Sequence, residues 1–350
     1  MNKEKTLKLI ELSHEEKSVI FDKIAGLTYS PEGSSEYIKA IRKLMWSILP
    51  EHLTDALEDL KKPFPEYAGI KVTNLPVDSV ITGSPHSNET GRLFKSGSVT
   101  ENILVGMGAI LGEPYSIAHE GYELVNNLTP HKEKASDYTG LGSAVELDFH
   151  IENAAQVYQE EGDTSPFVLI LLGVREDTQA KPLTRISDAR KALKQLSADD
   201  IAVLRERSFI IKVPHRWRSA TVTPRDNTEL VPVVSGPINA PRITVAFYPD
   251  MVIPVNSRAQ EALEKLHITI RSVAEGIHIT PGTMVIINNN FMLHSRDQFT
   301  ANYDENGRAY RWVQRIFVTK NLWPFRNFSC QGERIYNAKL LTADQKCTDE

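Results

Sequence analysis

The chain has few cysteines, no long apolar run and no surplus of one charge, and each shortage excludes something. Only Cys330 and Cys347 occur in 350 residues, both late in the sequence. No disulfide framework is implied, and a reducing compartment is the expectation. No apolar stretch reaches the length of about 20 residues that spans a bilayer. The opening MNKEKTLKLIELSHEEKSVIF lacks the continuous apolar segment of a secretion signal, which reads as a cytoplasmic protein without a membrane partner. In that setting the N-x-S/T sequons at Asn88 and Asn327 carry no weight. The 40 Lys+Arg and 45 Asp+Glu give a formal charge of -5. That balance argues against a nucleic-acid partner but leaves room for a local cationic pocket that takes a small anion. There is no GxGxxG after an early strand and no GxxxxGK[ST], so dinucleotide-binding and P-loop readings lose their main support. No internal repeat is present.

What remains is an ordinary globular composition, 41% hydrophobic and 24% charged, long enough to bury a substantial core. The first 63 residues read as helical: EYIKAIRKLMWSILPEHLTDALEDL spaces its apolar residues by three and four, and Pro50 splits it into two helices. Gly69–Leu75 reads as a strand, and Ile103–Leu111 is equally a strand or a buried helix. From residue 120 onward short strands dominate: Tyr122–Val125, Val145–His150, Phe167–Leu172, Ser208–Val213, Ile243–Tyr248, Thr283–Ile287 and Arg311–Thr319. Helical patches at Ile186–Leu196, Asp199–Arg207 and Ala259–Glu275 interrupt them. Segments 83–97 and 221–241 read as loops. The expectation is one domain over 1–350, mainly β with flanking helices. A helical layer at 1–65 would precede a double-stranded β-helix (jelly roll) at 100–320, with an α+β sandwich as the neighbouring option.

The chemistry-bearing sequence is ELDFHIENA, residues 146–154. On an extended strand His150 and Glu152 would face the same way, and an imidazole with a carboxylate suits a divalent metal. A third ligand must come from elsewhere, and His294, after a strand opened by Pro281-Gly282, is the best candidate. Two histidines and one carboxylate form a facial triad with open positions, the arrangement of non-heme Fe(II) oxygenases. The spacing leaves Zn(II) and Mn(II) open beside Fe(II), and a metal-dependent isomerase beside an oxygenase. The other histidines, including His119, His131, His215 and His278, have no comparable context.

Further along, His294-Ser295-Arg296 is followed by Phe299, Tyr303-Asp304 and then Arg311-Trp312-x-x-Arg315. Here the chain resembles the clavaminate synthase-like Fe(II)/2-oxoglutarate-dependent oxygenases, close to the free lysine and arginine hydroxylases. Their pattern is His-Gly-Arg, Phe, Tyr-Asp-Gly and Arg-Trp-Leu-x-Arg. Ser295 stands in place of the glycine, and about three extra residues lie around Glu305–Tyr310. The resemblance covers roughly 110–320 and is strongest at 146–154 and 281–320.

The resemblance implies that His150, Glu152 and His294 bind Fe(II) and that Arg311 clamps the distal carboxylate of 2-oxoglutarate. Arg308 lies at the usual family distance from the histidine but lacks the following tryptophan. Thr184 resembles a family threonine that helps hold the cosubstrate. Arg315 would take the α-carboxylate of a free amino acid, and Glu152 its α-amino group as well. The usual family glutamine upstream has no match in EPYSIAHEGYELV. Asp250, in RITVAFYPDMVIP, would meet a cationic side-chain end, and a single acid suits the compact ammonium of L-lysine more than a guanidinium. The implied reaction uses O2 and 2-oxoglutarate to hydroxylate the amino acid at C3 or C4. Arginine hydroxylation, desaturation, and a metal-containing carboxylate binder without turnover are the alternatives. Segments 83–97 and 221–241 are candidate lids.

Overall fold

The computed structural model of the chain describes residues 6–86, 89–118, 120–159, 162–213, 227–326 and 328–340. Asn88, His119, His215, Asn327 and Cys347 lie outside them, as do 87–88 and 221–226 of the two loop segments.

The first element is a strand rather than a helix: β1 (Leu7–Glu11) pairs in parallel with β2 (Gly69–Thr73). Between them run α1 (His14–Ile24), α2 (Ser35–Ile48) and α3 (Glu51–Leu60). A capping box starts α1, the Glu16 N–H donating to Ser13 Oγ at 3.2 Å and the Ser13 N–H to Glu16 Oε2 at 2.7 Å. Pro50 separates the next two helices and forms the N-cap of α3. Tyr37, Ile38, Ile41 and Met45 of α2, and Leu53, Ala56, Leu57 and Leu60 of α3, turn inward at helical spacing. The ambiguous apolar run becomes α4 (Val99–Leu111), buried on every side. Gly106 gives that helix the close approach it needs, because a Cβ there would strike the Met45 side chain.

The remaining strands are β3 (Glu113–Ile117), β4 (Asn126–Leu128), β5 (Leu147–His150), β6 (Val168–Arg175), β7 (Thr184–Asp188) and β8 (Phe209–Ile211). After them come β9 (Val234–Ser235), β10 (Arg242–Ile243), β11 (Val252–Pro254), β12 (Glu275–Ile277), β13 (Met284–Asn288) and β14 (Met292–Arg296). β15 (Trp312–Thr319), β16 (Phe328–Gln331) and β17 (Ile335–Leu340) complete the set. Three more helices, α5 (Ala189–Leu193), α6 (Ala198–Leu204) and α7 (Ser257–Ser272), pack together outside the smaller sheet.

The expected double-stranded β-helix is corrected by the strand order. The large sheet is open, nine-stranded and mostly antiparallel, running β1-β2-β13-β6-β15-β3-β17-β16 with β4 also on β15. A separate four-stranded sheet runs β12-β7-β14-β5, and neither closes on itself. The helices supply the reason: α4 lies on β3, β6 and β15 and α3 on β2, with α2 packed over α4, so the apolar surface of the large sheet is covered without curling into a barrel. Parallel pairs β1/β2 and β3/β17 then extend both its ends. The fold is a mixed, mostly antiparallel β architecture with flanking helices.

Period-two alternation divides the core in two. Ile170, Leu172, Met284, Ile286, Ile316 and Val318 face the helical layer. Leu169, Leu171, Val285, Ile287, Val313 and Phe317 face the opposite way and pack with the side chains of the four-stranded sheet. The candidate site lies on this second side.

Candidate metal centre and its cavity

The β5/β14 register sets His294 directly opposite His150, with ring centroids 4.2 Å apart. Glu152 arrives by a different route from the one the sequence argument used. The strand ends at His150, and Glu152 sits in the turn beyond it. Asn289, fully buried, holds that turn: the Glu152 N–H donates to Asn289 Oδ1 at 2.8 Å, and Asn289 Nδ2 donates to the carbonyls of Glu152 at 3.1 Å and Pro166 at 3.0 Å. Asn153, at φ 55°, then redirects the chain. One ligand atom from each of His150, Glu152 and His294 lies within 4.8 Å of the others.

The donor set fits a divalent ion. His150 Nδ1 is 2.8 Å from the Asp148 carbonyl oxygen; that contact requires the proton on Nδ1 and leaves the Nε2 lone pair for a metal. Burial, with His294 beside it, lowers His150 to about 4, so the ring is neutral near pH 7, as a ligand must be. Burial alone would raise the Glu152 carboxyl, but Arg315 and the two imidazoles outweigh it and hold it well below the usual carboxylate range.

Arg315 is buried. Its Nη1 donates to Glu152 Oε1 at 3.0 Å, and its Nη2 donates to Glu120 and to Asn126 Oδ1 at 3.2 Å. Its Nε has no hydrogen-bond partner among the described residues. Glu120 and Asn126 were not identified from the sequence. Glu120 belongs to EPYSIAHEGYELV, the segment with no match to the family glutamine, and that gap was the available signal.

A cavity of about 540 Å³ opens on this centre. Thr184, Arg311, Arg315 and Asp250 all line it, together with the three ligand candidates. Thr184 is buried. Burial and the neighbouring Arg296 cation lower the Arg311 guanidinium to about 10. Arg308 goes elsewhere: it donates to Glu89 Oε2 at 2.7 Å and stacks over Phe94, outside the cavity wall. The extra residues before Arg311 form a hairpin, with Tyr303 bridged to Ala309, Asp304 Oδ1 accepting from the N–H groups of Asn306 and Arg308, and Gly307 at φ 72°. Asp250 is exposed, at φ 63°. Lys212, Tyr138 and Tyr248, none singled out in the sequence, also line the cavity. So does the run Ser136–Gly140, whereas no described residue of 83–97 or 221–241 does.

The other face of β15 is anchored by polar groups. Gln314 Nε2 donates to Glu101 Oε1 at 2.7 Å, and Trp312 Nε1 to Asn127 Oδ1 at 3.0 Å. Behind them lies a buried ion cluster in which Lys95 meets Asp78 and Glu101.

A buried two-histidine, one-carboxylate centre facing an arginine-lined cavity defines the non-heme Fe(II) oxygenase class. No family model matches the chain, but individual relatives do. L-asparagine oxygenase of Streptomyces coelicolor is 26% identical over 302 residues, 86% of this chain and 85% of the relative. Clavaminate synthase 2 of Streptomyces clavuligerus is 24% identical over 281 residues, 79% and 81% of the two chains. L-lysine 3-hydroxylase of Catenulispora acidiphila is 28% identical over 216 residues, 61% and 57% of the two. Among solved structures, asparagine oxygenase in complex with Fe(II), 3-hydroxyasparagine and succinate aligns at a TM-score of 0.79 with 24% identity, covering 94% of this chain and 99% of that one. The chain is a clavaminate synthase-like Fe(II)/2-oxoglutarate-dependent oxygenase related to the amino-acid hydroxylases. Its metal is Fe(II), and its cosubstrates are 2-oxoglutarate and O2. Among the described residues no helix is long and apolar enough to cross a membrane.

Proposed function

We propose that this enzyme hydroxylates a free basic L-amino acid, L-lysine first, and that His150, Glu152 and His294 hold its iron. The observation that carries the reading is that anion-binding and cation-binding side chains line the same cavity as the triad. Iron(II), 2-oxoglutarate and O2 together supply oxidative decarboxylation coupled to C–H hydroxylation, with release of succinate and CO2. The protein supplies placement. Arg311, with Thr184 near it, takes the distal carboxylate of the cosubstrate, since a guanidinium offers a carboxylate two parallel hydrogen bonds. Arg315 directs its unpartnered Nε to the substrate α-carboxylate, while Glu120 and Glu152 receive the α-ammonium. Asp250, at the rim, meets the side-chain ammonium. Holding both ends of the amino acid fixes which carbon faces the iron, and an error of about 1 Å costs roughly 100-fold in rate. The single domain over 1–350 belongs to the same reading.

Lys212 supports a second reading. A cation in the cavity that also holds Asp250 gives a donor and an acceptor, which match a neutral carboxamide better than an ammonium. The L-asparagine oxygenase relative points the same way. The test is incubation with Fe(II), 2-oxoglutarate and each common free amino acid, with succinate and oxygenated product measured by mass spectrometry. One added oxygen on lysine supports the first reading, and on asparagine the second. No coupled turnover with any amino acid refutes both.

A further inference from the structure

Arg296 is 6% exposed and lines the cavity, yet it makes only weak use of its guanidinium. Its Nη1 donates to the carbonyls of Asp297 at 3.0 Å and Ser143 at 3.4 Å. Its Nε and Nη2 are buried with no hydrogen-bond partner among the described residues. Those two N–H groups form one edge of the fork, the edge that receives a carboxylate bidentately, and leaving them unmet in a buried site is costly.

The position of that edge follows from the strand. Arg296 lies two residues beyond His294 on β14, so the two side chains share a face and stand about 7 Å apart along the strand. That is the reach of an extended five-carbon dicarboxylate whose other end sits at the metal. Across the ladder, Arg296 pairs with Thr184. Arg296 and Arg311 approach the same Phe299 ring, at 5.5 and 5.9 Å from its centroid. Among the described residues neither arginine makes an ion pair with a carboxylate. Two cations therefore share a buried subpocket in which Asp297, Glu146 and Asp177 act only from beyond ion-pair distance.

We infer that Arg296 is a second cosubstrate-binding residue, whose Nε/Nη2 edge takes the distal carboxylate of 2-oxoglutarate jointly with Arg311. This rests on the cosubstrate assignment above and adds to it a specific cause of selectivity for a dicarboxylate. A single guanidinium would satisfy one side of the carboxylate; two, approaching from different strands, engage more of its lone pairs and fix the direction of the chain.

The test is calorimetric titration of the Mn(II)-loaded protein, in the absence of O2, with 2-oxoglutarate and with 2-oxobutyrate, which lacks the distal carboxylate. Wild type, Arg296→Met and Arg296→Lys are compared. Arg296→Met is expected to weaken 2-oxoglutarate about 10- to 100-fold, the loss of one charge-assisted pair of bonds, and to leave 2-oxobutyrate unchanged. Arg296→Lys, which keeps the charge without the fork, is expected to recover part of the loss. Equal binding of 2-oxoglutarate by wild type and both variants overturns the inference, as does an equal loss for both ligands, which marks a merely structural arginine. Should Arg296→Met not fold, the lysine variant decides alone, since an unchanged ratio of the two affinities is then sufficient to reject it. Failure of the wild type to prefer 2-oxoglutarate over 2-oxobutyrate is a different result, and it removes the cosubstrate assignment itself.

Discussion

Replacing Lys95 with Met isolates the ion cluster behind β15. Lys95 Nζ has no exposed surface on its side chain; it donates to Asp78 Oδ2 at 2.7 Å, to Thr100 Oγ1 at 2.6 Å and to Glu101. The methionine matches the lysine stem in length, so packing is nearly conserved while two buried carboxylates lose their common cation. Breaking a buried pair in this way costs about 3–5 kcal/mol. Unfolding entropy of about 2.1 cal/mol/K per residue over 350 residues is roughly 0.7 kcal/mol/K. The expected fall in Tm is therefore about 4–7 °C, read by circular dichroism or calorimetry. The triple variant Lys95→Met, Asp78→Asn, Glu101→Gln removes the stranded charges and is expected to recover most of that fall. A Tm for Lys95→Met within about 1 °C of wild type, or a triple variant less stable than the single, refutes the reasoning.

Four further outcomes follow from the same structure. Adding Mn(II) to metal-free protein should raise Tm, by about 2.7 kcal/mol of stabilisation at a hundredfold excess over Kd; His150→Ala should abolish both that response and turnover, and a persisting response removes His150 from the ligand set. Glu89, held at about 2 chiefly by its hydrogen bonds from Arg308, has a folded-state pKa below its unfolded one. Its contribution is present above about pH 5 and lost as pH falls toward 2, so the stability difference between wild type and Glu89→Gln in urea should shrink on acidification; a difference independent of pH contradicts it. Gly173→Ala should destabilise by about 1–3 kcal/mol, because the new Cβ would collide with the Thr280 carbonyl oxygen; an unchanged urea midpoint argues against that contact. Lys212→Ala should lower the KM for lysine if an ammonium lies near Asp250, and raise the KM for asparagine if a carboxamide does.

The candidate metal centre was legible because its three side chains are few, chemically specific and written in short motifs, and the structure brings them together. His150, Glu152, His294, Thr184, Arg311, Arg315 and Asp250 come to one cavity, although they are spread over more than 160 positions from His150 to Arg315. Of the two arginines weighed in the sequence, Arg311, in the Arg-Trp context, lines the cavity, and Arg308 pairs with Glu89. What was not legible depends on contacts between distant segments. Asn289 looks like loop polarity until it is seen holding the Glu152 turn. Glu120 gains meaning only from Arg315 across the cavity. The same limit applies to the fold. Apolar runs at Ile103–Leu111 and 168–174 are alike in sequence, but one is the buried helix α4 and the other the central strand β6. Whether a sheet closes is decided by what covers it, and no local pattern reports that the helical layer lies over the large sheet.

The hairpin before β15 and the strand itself tolerate change very differently. Lengthening or shortening the exposed tip of the turn, at Glu305 and Asn306, leaves Asp304 on Arg175 and Arg308 on Glu89, so the gap between His294 and Arg311 can drift as related sequences diverge. The interval from Arg311 to Arg315 has no such freedom. One residue gained or lost there would rotate Gln314 into the cavity and Arg315 into the helical layer, where the carboxylate of Glu101 waits for an amide. A search for distant members of this lineage should therefore let the first gap stretch and hold the second fixed.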